Sequence, residues 1–147
     1  MAGRRWIPVP AGDLPDGTLL YDGVCVLCSG MVRFVAARDG GRYSFVPVQS
    51  PWGEAIARRH GISAAAPETF AVVLGGAVHF KSDAGLALLG TLPGWGWTRI
   101  GRALPRALRD PLYDLVARHR YRVFGRTETC GLPPPGLRAR VRTAPPA

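Results

Sequence analysis

The spacing of apolar positions changes several times along this chain, and each change marks an element. Thr18-Leu-Leu-Tyr21 is a short β-favouring run that stops at Asp22-Gly23. Beyond it Val24, Leu27, Cys28, Met31 and Val35 recur at helical spacing, which predicts a helix with one buried stripe, closed by Asp39-Gly40-Gly41. Tyr43-Ser-Phe-Val-Pro-Val48 reads as a second strand. Pro47 has no N–H to give a ladder, so it belongs at an end, an edge or a bulge. Ser50-Pro51 marks a capped helix start, and Gly61 after Arg58, Arg59 and His60 marks its stop. Residues 69–74 and 77–80 flank Gly75-Gly76 and read as a hairpin around a two-glycine turn. Ser82 is placed to cap a helix through Leu89. Two more helices are expected near residues 98–108 and 111–123, the second opened by Asp110-Pro111 and stopped by Gly125.

The predicted order is β-α-β-α-β-β-α plus two helices. A strand-helix-strand opening implies a parallel pair, and a hairpin adds antiparallel strands to the same sheet. The expectation is therefore an α/β, thioredoxin-like fold with a C-terminal helical extension. A length of 147 residues suits a single core. We expect an irregular, Pro-rich arm over 1–16, the folded domain with its C-terminal helices over 17–132, and a loose Pro/Arg-rich tail over 133–147. The sequence shows no internal repeat. Apolar residues make up 47% and charged residues 20%, the balance of a soluble globular chain. No uncharged apolar run reaches the length of a membrane span. Arg4 and Arg5 have no apolar stretch behind them, so no secretory signal is read and a cytoplasmic location is expected.

Charge alters this picture at one end. The net charge is +9, and residues 97–147 hold eleven Arg against Asp110, Asp114 and Glu128. Arg99, Arg102, Arg106 and Arg109 recur three, four and three apart, which would place them on one helix face. The bland reading, a solvated basic face, is the better one. If that face binds anything, a peripheral contact with an anionic membrane surface fits it best. Nucleic acid fits less well, since neither a recognised binding motif nor an aromatic stacking platform is present.

The chain has three cysteines, Cys25, Cys28 and the distant Cys130. An odd count argues against a secreted disulfide framework. Cys25 and Cys28 sit at the junction of the first strand and first helix. There the free amides and the dipole of a helix start stabilise a thiolate, the nucleophile of disulfide exchange. Cys28, one turn on and within the apolar stripe, should be more buried and more protonated. Cys25 would then attack a partner disulfide and Cys28 would resolve the mixed disulfide. Two other readings stand beside this one: two small core residues, or half of a zinc site. Zinc needs about four ligands, and His60, His79 and His119 are scattered. Asp22 either takes the proton of Cys28 during resolution or caps the helix by accepting an amide of residue 24 or 25. Gly23 gives the backbone room for a partner to approach. Pro67, just before the hairpin, is the best-placed candidate for the proline loop that thioredoxin-like sites set beside their cysteines, although most X-Pro bonds are trans.

The string Tyr21-Asp-Gly-Val-Cys-Val-Leu-Cys-Ser-Gly-Met-Val-Arg-Phe34 resembles the signature of the DCC-type thiol-disulfide oxidoreductase family, whose Asp, Cys and Cys are Asp22, Cys25 and Cys28 here. The likeness continues through Arg38-Asp39, Phe45, Gln49-Ser50, Lys81-Ser82-Asp83-Ala84, Asp110-Pro-Leu-Tyr113, Arg120-Tyr-Arg-Val-Phe-Gly-Arg126 and Cys130, about residues 18 to 133. It implies an oxidoreductase enzyme of thioredoxin-like fold; from the Cys25–Cys28 pair itself we expect exchange with a disulfide-bearing protein or a small thiol. No cofactor or metal is implied beyond a redox-active Cys25–Cys28 disulfide. Val26 and Leu27 replace the usual polar or Gly-Pro spacer between such cysteines, and an apolar collar favours a hydrophobic partner surface.

Overall fold

The computed structural model describes residues 8–23, 25–63, 67, 69–124 and 140–142, without the side chains of Val26, Arg106, Tyr121 and Phe124. Along it run β1 (Val9–Pro10), β2 (Thr18–Tyr21), α1 (Val26–Ala36), β3 (Ser44–Pro47), α2 (Pro51–Arg59), β4 (Ala71–Leu74), β5 (Ala77–Phe80), α3 (Lys81–Leu89), a 3₁₀ segment (Gly96–Ala103) and α4 (Arg106–Phe124). The strands form one sheet in the order β1-β5-β4-β2-β3. β2 and β3 pair in parallel, while β2–β4, β4–β5 and β1–β5 are antiparallel. This is the thioredoxin-like α/β fold that the order of elements implies.

Alternation along each strand divides the core between the two faces of the sheet. Leu20, Val46, Ala71, Val73, Val78 and Phe80 face one way and pack with Trp52, Ile56 and Ala57 of α2. Leu19, Tyr21, Phe45, Val72 and Leu74 face the other way and pack with Val32 and Val35 of α1 and with Ala84, Ala87 and Leu88 of α3. All four residues of β2 are buried, so the strand that leads into Cys25 lies within the core. Ser50 caps α2 through Gly53 N–H at 3.1 Å, followed by proline as the sequence predicts. Gly53 is required there, since a Cβ would lie 1.9 Å from the Pro47 carbonyl. Gly75 and Gly76 adopt φ of 62° and 79°, the left-handed pair that a tight two-residue hairpin needs.

Several expectations are corrected. The arm over 1–16 is not wholly irregular, because Val9 and Pro10 add an edge strand to β5. Nor is the tail over 133–147 loose throughout. Val141 bridges Phe45 on the outer edge of β3, and Arg140 bonds the carbonyls of Ala36 and Tyr43 and the carboxylate of Asp39. Ser82 does not cap α3; its hydroxyl reaches across to Asp110.

The expected pair of C-terminal helices is divided elsewhere. A 3₁₀ segment ends at Ala103, Leu104 is held extended before Pro105, and α4 then runs unbroken through Pro111. Arg99, Arg102, Arg106 and Arg109 therefore do not share one helix face. Arg99 is drawn onto the Gly90 carbonyl at 3.0 Å, and Arg109 pairs with Asp83, also at 3.0 Å.

Candidate functional site

β2 ends at Tyr21, and the chain turns through Asp22 and Gly23 into α1. Cys25 N–H closes that turn on the Asp22 carbonyl at 3.2 Å. The N-cap of α1 is Cys25 itself, with extended backbone, and its Sγ accepts from Cys28 N–H at 3.4 Å. Asp22 is thus not the cap, since the sulfur occupies the position that a capping carboxylate would take. No acid lies in the first turn of α1 to oppose a charge on that sulfur. Both cysteines are free thiols.

The Cys25 thiol is drawn down to about 6, first by the hydrogen bond from the Cys28 side chain and further by the Cys28 amide and the Arg120 cation, against burial and Asp22. The Cys28 thiol moves the other way, raised by its bond to Cys25, by burial and by the adjacent negative sulfur. The pair therefore holds one proton on Cys28 and a negative charge on Cys25. Exposure is the reverse of the expected order. Cys25 has 0% of its surface open to solvent, whereas Cys28 is only partly covered.

Asp22 is 3% exposed and held by side chains from two distant segments. Gln49 donates to its Oδ1 at 2.7 Å and accepts Gly23 N–H at 2.9 Å. Arg120 of α4, 8% exposed, reaches its Oδ2 at 3.3 Å. The same guanidinium donates to the carbonyls of Pro67 at 2.6 Å and Ala117 at 2.8 Å. One buried cation thereby joins α4, the Pro67 loop and the Asp22 turn, and its charge favours the thiolate of Cys25.

A cleft of about 250 Å³ opens over this arrangement. Its walls are largely apolar, with Leu27 and Met31 of α1, Pro67 and Phe70 before β4, and Val116 of α4; Cys28, Asp22 and Arg120 lie in its lining. Tyr113 completes the far wall. Its hydroxyl accepts Phe70 N–H at 3.2 Å and bonds the Thr69 side chain, and burial pushes its pKa up to about 12.

Of the residues singled out from the sequence, Asp22, Cys28, Leu27 and Pro67 meet at the cleft, with Cys25 beneath it. Gly23 lies off it, its N–H held by Gln49. The Val26 side chain, the peptide bond preceding Pro67 and Cys130 lie outside the described residues. No three described His, Cys, Asp or Glu residues gather as metal ligands, and His60 and His79 instead lie against the carbonyls of Ile56 and Leu74. Sequence reasoning missed the roles of Arg120, Gln49 and Tyr113. All three stand inside the stretches that carry the family resemblance, and Tyr113, Ala117 and Arg120 share a helix face by spacing of four and three.

A dithiol capping the helix after the first core strand of a thioredoxin-like sheet is the arrangement of a redox protein of that fold. The chain belongs to the DCC1-like thiol-disulfide oxidoreductase family, whose model matches residues 19–126. Among curated proteins it is similar to the uncharacterized protein YuxK of Bacillus subtilis (strain 168), 35% identical over 129 residues, covering 86% of this chain and 94% of that one. It is also similar to the DCC family protein At1g52590, chloroplastic, of Arabidopsis thaliana, 34% identical over 117 residues, covering 78% of this chain and 68% of that protein. No solved structure matches it significantly.

Proposed function

We propose that the chain exchanges electrons with a partner disulfide through Cys25 and Cys28. The observation that carries this reading is the pair of free thiols at the start of α1, where Cys25 caps the helix and its Sγ accepts Cys28 N–H at 3.4 Å; the bond from Cys28 draws the Cys25 thiol toward neutral pH. The Cys25 thiolate attacks one sulfur of the partner disulfide, forming a mixed disulfide and releasing the other partner sulfur as a thiolate. Asp22, in the lining of the same cleft, accepts the Cys28 proton. Cys28 then attacks Cys25, the Cys25–Cys28 disulfide forms, and the second partner thiolate leaves. Two electrons pass to the partner, and the reverse reaction uses the same groups.

Because the cleft opens on Cys28 and Cys25 is buried, the groups over Cys25 must move aside before its sulfur can attack a partner disulfide. The exposure favours one second reading, in which Cys28 makes first contact and Cys25 resolves. Trapping with a model disulfide distinguishes them. On the first reading Cys28→Ser accumulates a mixed disulfide and Cys25→Ser does not. The opposite pattern exchanges the roles, and trapping by neither variant overturns thiol exchange at this site.

A further inference from the structure

All eight large hydrophobic side chains that stand exposed among the described residues lie between Trp97 and Val123. On α4 they are Leu108, Leu112, Leu115, Val116 and Val123, spaced four, three, one and seven apart, which places them on one arc of a helix. The stripe is roughly 22 Å long at the rise of an α-helix. Trp97 and Ile100, three apart in the 3₁₀ segment, share a side of that turn, and Leu104 follows. Leu112 is 62% exposed and Ile100 74%, so these side chains are not core residues at the rim.

Charge on α4 is sorted about the same axis. Its acids face α3: Asp110 accepts from Ser82, and Asp114 pairs with Lys81 at 2.6 Å. Arg109 and Arg120 also turn inward, to Asp83 and Asp22. Arg118 and Arg122 stay exposed beside the apolar arc, with Arg102 exposed on the preceding segment. The outward face therefore carries aliphatic side chains and cations, without an acid of α4 among them.

We infer that this face docks the protein on an anionic membrane surface. The helix lies in the headgroup plane with its aliphatic arc dipped toward the acyl boundary and its arginines on lipid phosphates. The cations beside the exposed apolar arc match an anionic surface, and a bilayer needs no complementary groove to meet it. No helix among the described residues is long and apolar enough to cross a membrane, so the contact is peripheral. Val116 belongs both to this arc and to the wall of the cleft over Cys28. Docking therefore holds the mouth of the cleft at the headgroup plane. That this presents the thiols to disulfides at the membrane rests on the exchange reading above; the docking itself does not.

Flotation of the full chain with vesicles tests this. Binding is expected to phosphatidylcholine vesicles in which phosphatidylglycerol is about a third of the lipid, and to be at least tenfold weaker on pure phosphatidylcholine and at high salt. The double variant Leu112→Glu, Leu115→Glu should bind at least tenfold more weakly, and Arg118→Gln and Arg122→Gln roughly fivefold each. None of these four lines the cleft, so melting temperature and exchange rate in solution should be unchanged. Binding that ignores these substitutions, or no binding at low salt, overturns the inference. So does a wild-type dimer that the double glutamate variant dissociates, or an acidic protein held through this face, when vesicles are not bound. Vesicle binding by Cys25→Ser and Cys28→Ser separates docking from exchange, so either can fail alone.

Discussion

At Cys25 two opposing environments meet on one sulfur. Enclosure favours the neutral thiol, while the hydrogen bonds from Cys28 and the nearby Arg120 cation favour the thiolate and prevail. A thiol whose folded pKa, about 6, lies below its ordinary 9.0 adds stability that is fully present above the ordinary value and is lost as pH falls through the folded one. Cys28 is raised, so above the ordinary value it works in the opposite sense, since the unfolded chain then releases a proton that the folded chain keeps. The reduced protein should therefore become more stable from about pH 6 to about pH 9 and lose stability again above that. Urea unfolding of the reduced chain across that range, beside Cys25→Ser, checks this: the variant should lack the rise. In Arg120→Gln the rise should begin at higher pH, because one cause of the depressed thiol is gone. An equal rise in the Cys25→Ser variant would assign it to another group.

α4 is secured to α3 by polar contacts that cross between the helices. Arg109 donates to Ser82 at 3.1 Å and to Asp83 at 3.0 Å, Ser82 donates to Asp110, and Lys81 pairs with Asp114. Lys81 adopts φ of 49°, a left-handed conformation uncommon outside glycine, while its N–H bonds Thr69 Oγ1 at 2.7 Å. These contacts seat Tyr113 and Arg120 on the cleft. Arg109→Ala should cost about 2 kcal/mol, since Asp83 loses a charged donor in a mostly buried place. Because α4 then loosens, the Cys25 thiolate titration should also move upward, measured by ultraviolet absorbance. A loss of stability with an unmoved titration would show that the latch does not position Arg120. The same contacts explain what the sequence conveyed and what it did not. β2, α1, the glycine-turn hairpin and the Cys25–Cys28 junction follow from local period and turn chemistry, which neighbouring residues express. Lys81-Ser82-Asp83 and Asp110-Pro-Leu-Tyr113 were visible as resemblance, yet their meaning is a contact between helices, which no local pattern encodes. Arg120 looked like one more cation in a basic helix, because its partner Asp22 stands 98 residues earlier. Val9–Pro10 is too short to show a period, and only pairing with β5 makes it a strand.

Across the whole molecule, the segment over 140–142 returns to the parallel edge of the sheet. Val141 bridges Phe45, and Arg142 N–H bonds the Phe45 carbonyl at 2.8 Å, which covers part of an otherwise open β3 edge. Arg140 closes the corner between α1 and β3. Its guanidinium donates to the carbonyls of Ala36 at 3.3 Å and Tyr43 at 3.0 Å, and pairs with Asp39, whose side chain is fully buried. Asp39 also accepts Gly41 and Tyr43 N–H, so it keeps two donors when Arg140 is removed. Arg140→Ala should for that reason cost about 2 kcal/mol rather than the larger penalty of a wholly stranded charge. For a chain of this size that is a fall of roughly 4 to 8 °C in melting temperature. Replacing Asp39 as well should cost less than the sum of the two single changes, because the double variant leaves no buried carboxylate seeking a cation. The corner is remote from the cleft, so the Cys25 titration should stay near 6 in Arg140→Ala. A shifted titration there would mean that the sheet edge and the thiol pair are coupled through α1, which reaches from Cys25 to Ala36.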